Sequence, residues 1–86
     1  MDRQQRIIAA RKIVTEYLHG EIDTVRNPEM FDDDIVYFAV ARLDRNDTDW
    51  LLAQLADPQW PREIRADIAA MMPGHYAEGQ AALELR

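Results

Sequence analysis

The chain has no cysteine and no serine, a single lysine and only three glycines among its 86 residues. Each shortage removes a class of chemistry. Without cysteine there is no disulfide framework, no thiolate zinc site and no thiol nucleophile. Without serine as well, acyl transfer through the two commonest nucleophiles is excluded, and a Schiff base would have to form on Lys12, in a basic amphipathic segment. Gly20, Gly74 and Gly79 are scattered, so no glycine-rich loop is available to cradle a phosphate. His19 and His75 stand far apart, and neither belongs to a ligand-spaced motif. The expectation is a non-catalytic protein with no cofactor and no metal. No apolar run reaches the length of a membrane span, and Met1-Asp2-Arg3-Gln4-Gln5-Arg6 is not followed by the apolar core of a secretory signal. A soluble cytoplasmic protein is expected.

Charge is the second constraint. The net charge is −6, and it is unevenly spread. The first twenty residues are slightly basic, with Arg3, Arg6, Arg11 and Lys12 against Asp2 and Glu16. Residues 21–57 hold most of the acids, including Asp32, Asp33, Asp34, Asp44, Asp47 and Asp49. An acidic domain is repelled by phosphate backbones, so nucleic-acid binding is disfavoured. It is better suited to a protein partner with a basic surface.

What the chain has is a seven-residue apolar and aromatic stretch, Ile35-Val36-Tyr37-Phe38-Ala39-Val40-Ala41, preceded by three aspartates and followed by Arg42. Ala39-Val40-Ala41-Arg42-Leu43 continues it with good helix formers. Nothing else in the chain offers a partner strand, and a lone strand could not satisfy its backbone hydrogen bonds. The stretch is therefore read as the core of a helix over about 32–45. At about 100° per residue its apolar positions cover more than half the circumference, which predicts neighbours on several sides.

The flanking segments read as helices around it. Asp2 to Leu18 is amphipathic, with Ile7, Ala10, Val14 and Tyr17 on one face, Asp2 as its cap and His19-Gly20 as its end. Ile8 falls off that face. Residues 21–31 form a connection, with Asn27-Pro28 as a turn or helix-start signal. Asp32 is the preferred N-cap of the central helix, with Asp33 and Asp34 in its first turn and Phe31 against Val36 as a hydrophobic staple. Asp47 caps a third helix through Trp50, Leu51, Leu52, Leu55 and Ala56, stopped by Asp57-Pro58. Pro61 sits at a first helical position. Ile64, Ile68, Met71 and Met72 then form a buried stripe that Pro73-Gly74 closes. A last helix in 75–86 would place Tyr76 and Leu83 on one face, weakened by Gly79. The stretch from Asp49 to Met72 resembles one HEAT-type repeat: a leucine-rich helix, an Asp-Pro turn, and a helix with Arg65 and Ala69-Ala70. That resemblance covers about a quarter of the chain and implies only that helices three and four pack antiparallel. The fold expected is all-α, a small four- to five-helix bundle around the central apolar helix, in one domain.

Two features could carry function. Asp32-Asp33-Asp34 could in principle hold a hard cation, but consecutive helical residues point about 100° apart and the calcium-loop spacing is missing. A cap with first-turn acids is the better reading. Trp60 lies between two prolines, stiff and suited to anchor a partner, or else to close the core between helices three and four. The binding residues expected are Asp32, Asp33, Asp34, Asp47, Asp49 and Trp60. The function expected is a small acidic inhibitor, immunity-type protein or regulatory subunit docking on a basic surface of a larger protein. A homodimer is a further expectation, because so apolar a helix asks for more cover. Two alternatives stand beside it. A nucleic-acid-associated regulator would need Arg3, Arg6, Arg11 and Lys12 exposed together. A small enzyme would need His19 or His75 within reach of a carboxylate in a cleft.

Overall fold

Helix α1 (Arg3–Leu18) starts where the sequence places its cap. In the computed structural model, which describes residues 2–20 and 33–84, the Gln5 N–H donates to the Asp2 carboxylate at 2.8 Å and the Asp2 N–H donates to the Gln5 side chain at 3.1 Å. This reciprocal arrangement satisfies two donors that a first turn leaves without partners. Gly20, at φ +74°, ends the segment in the left-handed conformation that a residue without Cβ adopts freely. Ile7, Ala10, Val14 and Leu18 are buried, and Ile8 is exposed.

Helix α2 (Asp33–Asn46) follows the expected bounds to within a residue. Its proposed cap Asp32 and staple partner Phe31 lie outside the described residues. Val36, Ala39, Val40 and Leu43 are buried and pack chiefly against α1, with a smaller contact on α3. The expectation of cover on several sides is corrected at Phe38. Phe38 is 67% exposed and Tyr37 44%. The helical period sets these rings off the buried stripe, where they meet each other edge to face with centroids 5.8 Å apart.

Helix α3 (Thr48–Ala56) buries Leu51 and Leu55 completely and touches α2, α4 and α5. It ends before Asp57-Pro58, as expected. Asp57 accepts from both the backbone and the side-chain amide of Gln59, which holds its carboxyl below the usual range. Helix α4 (Arg62–Ala70) begins one residue later than expected, with Pro61 as its N-cap at φ −58°. Ile68 and Met72 are fully buried, while Ile64 and Met71 are partly so, and the two methionines lie just past the end of the helix. Helix α5 (Tyr76–Leu83) buries Gly79, Ala82 and Leu83. Tyr76 and Leu83, seven residues apart, lie on one face as expected, with Leu83 buried and Tyr76 56% exposed. The buried stripe of α5 starts at Gly79, and Tyr76, the first residue, stands beyond it.

The result is an all-α bundle, with no strand among the described residues. Among those residues no helix is long and apolar enough to cross a membrane. The polar groups inside are matched: among the described residues no buried side-chain nitrogen or oxygen lacks a partner. Arg65 shows how. Its buried guanidinium donates to the Leu55 carbonyl, at the end of α3, and its Nε to the Trp60 carbonyl, both at 2.9 Å. A cation suits the negative end of a helix, so one side chain closes the turn between α3 and α4.

Candidate functional site

Two helices, α3 and α5, frame an apolar trough on the surface of the described residues. Asp49, Leu52, Ala53 and Ala56 follow i, i+3, i+4, i+7 spacing along one face of α3, and Glu78, Ala81 and Ala82 follow i, i+3, i+4 along α5. Between them lies an open trough of about 430 Å³. Its floor is aliphatic, and most of its side chains are single methyl groups. Small residues let a further helix axis approach closely, since interaxial distance follows the side chains at the contact. On its other side α5 is already drawn close to α4, where a Cβ at Gly79 would come 3.2 Å from the Met72 sulfur.

The rim carries charge of one sign. Asp49 and Glu78 are exposed, and neither takes part in an ion pair among the described residues. Apolar floor and unpaired carboxylates together describe a complement for an amphipathic helix bearing lysine or arginine at its flanks.

The residues singled out from the sequence are dispersed. Asp32 lies outside the described residues, and Asp33 and Asp34 are the first two residues of α2. Asp47 holds the N-cap position of α3 without capping it. Its carboxylate instead accepts from Arg11 Nε at 2.5 Å, a pair that raises the arginine pKa above its ordinary value, chiefly through that hydrogen bond. Arg11 also lies over the Trp50 ring, 5.3 Å from its centroid. Trp60 is half-buried against the core, its indole N–H donating to Gln54 at 3.2 Å and its ring set edge-on to His19. Among the described residues of this set, Asp49 alone borders the groove.

No family model, curated protein or solved structure matches the chain. The reading therefore rests on geometry and charge.

A second constellation joins residues distant in sequence. Asp44 is buried in α2, its side chain 3% exposed. One carboxylate oxygen accepts from the Gly74 N–H at 2.7 Å, and the other lies 2.7 Å from His75 Nδ1. This meets the distance requirement of a carboxylate–histidine site. The adjoining groove, however, is lined by Tyr37, Phe38, Ala41, Asp44, Arg45, Pro73 and Gly74, and the imidazole is not among its walls. With both oxygens engaged, Asp44 acts as a clamp tying the end of α2 to the turn before α5. By composition Asp44 belongs with the acids of 21–57 that would suit a basic partner, yet it is buried. Its register gave the contrary signal, because it follows Val40 by four residues and so falls on the buried stripe.

The basic face of α1 is also partly engaged. Arg11 is paired with Asp47, and Arg3 donates to Asn46 at 3.0 Å. The four cations that a nucleic-acid contact would need together are thus not all free.

Proposed function

We propose that the protein is a non-catalytic protein-binding module, an inhibitor, immunity-type or accessory subunit, whose α3/α5 groove receives a helix of a larger partner. That helix is apolar along the face that meets the alanine floor and carries lysine or arginine where it passes Asp49 and Glu78. The observation that supports this reading is an apolar trough, open among the described residues, beside two rim carboxylates that have no ion-pair partner among them. Small methyl-lined floors suit helix-in-groove recognition, in which anchors recur at helical spacing. The acidic rim contributes more to encounter and orientation than to affinity.

The test uses two model helices with the same leucine stripe, one flanked by lysine and one by glutamate, titrated into the isotope-labelled protein. The lysine helix is expected to shift amide resonances at 49–56 and 78–82. Combined Asp49→Asn and Glu78→Gln substitution should weaken it roughly two- to thirtyfold, the range for two exposed charge pairs. Equal binding of the glutamate helix, or shifts centred on another surface, would remove the basis for the reading.

A further inference from the structure

The outer face of α2 is a second apolar surface, separate from the groove and independent of the reading above. Phe38, Tyr37 and Ala41 follow one another along it, and Phe38 also borders Ala9 and Ile13 of α1 on one side and Pro73 on the other. Among the described residues Phe38, at 67% exposure, is the most exposed large hydrophobic side chain, with aliphatic neighbours on the α1 side and arginines on the other. Arg42 and Arg45, both exposed, close the stripe at its C-terminal end, and neither guanidinium has an ion-pair partner among the described residues. Asp33 and Asp34 open the same helix.

We infer that this face pairs with a second copy of the chain, the two α2 helices running antiparallel about a two-fold axis between Phe38 and Ala41. The stripe is its own complement. A large ring and a small methyl stand one turn apart, so the two-fold operation sets Phe38 of each copy over Ala41 of the other. The same operation brings the aspartate end of one helix opposite the arginine end of the other. A two-fold interface requires this self-complementarity, in which residue i meets j and j meets i. A parallel pairing would set like charges together at both ends. An unrelated partner would have no reason to match both the size pattern and the charge gradient.

A helix of 14 residues is about 21 Å long, so one face of it offers less than the standard interface of roughly 800 Å² per partner. The pairing is therefore concentration-dependent. Sedimentation equilibrium of the full chain over a wide concentration range reads it directly, and the mean mass should rise from 10.0 kDa toward twice that value. Phe38→Asp should raise the dissociation constant roughly thirtyfold or more, as loss of a central anchor does, with unchanged helical circular dichroism. One variant carrying Asp33→Arg and Asp34→Arg, and another carrying Arg42→Asp and Arg45→Asp, should each stay monomeric and should pair when mixed. A wild-type mass fixed at the monomer value overturns the inference. So does a dimer that survives Phe38→Asp, or a mixture that does not pair. Loss of helicity in Phe38→Asp would overturn it too, because the ring would then be covered within its own chain.

Discussion

At Gly74 a methyl group would stand 2.8 Å from the Asp44 carboxylate. That oxygen takes the Gly74 N–H, and its twin faces His75, so the carboxylate has no freedom to withdraw. Gly74→Ala should therefore cost about 1–3 kcal/mol, the penalty for disturbing a buried hydrogen-bonded group. Gly79 offers the contrast. A Cβ there meets the Met72 sulfur at 3.2 Å, at the end of an unbranched side chain that can shift. Alanine in a helix is also favoured over glycine by about 1 kcal/mol. Gly79→Ala should change stability by less than about 1 kcal/mol in either direction. Urea unfolding midpoints compare the two. A larger loss at Gly79 than at Gly74 would show that the clamp does not fix the turn.

Among the elements, one cation ties the join between α3 and α4 at two carbonyls. Arg65→Ala removes two donors from two carbonyls, one of them buried with it, and should cost about 3 kcal/mol, since hydrogen bonds to charged groups carry about 1.5–3 kcal/mol each. Arg65→Lys should recover only part of that loss, because an ammonium is a point donor and lacks the planar fork. Chemical denaturation of the two variants checks the order. The helices themselves were legible in the sequence. Asp2, Gly20, Asp57-Pro58 and the apolar stripes act through local backbone chemistry, and local chemistry survives being read one residue at a time. What each face meets was less legible. Phe38 sits in an apolar run yet faces outward, and Asp44 sits in an acidic run yet faces inward, because composition does not register which side of a helix a neighbour occupies. The α3/α5 groove was visible only at Asp49, since five of its other linings are alanine or leucine, residues that read equally well as core.

Taken as a whole, the molecule holds α1 by contacts that span long stretches of sequence. Arg11 meets Asp47, Arg3 meets Asn46 and the Tyr17 hydroxyl donates to Asp67 at 3.3 Å. Beneath these polar ties the apolar face of α1 packs on α2 and reaches α4. Each of these contacts is made by residues on either side of the segment 21–32. A protease site inserted within that segment, once cut, should leave two fragments that still elute together and melt as one. Their reunion after dilution would depend on concentration, so a single break in the backbone would turn an intramolecular fold into a two-piece recognition pair.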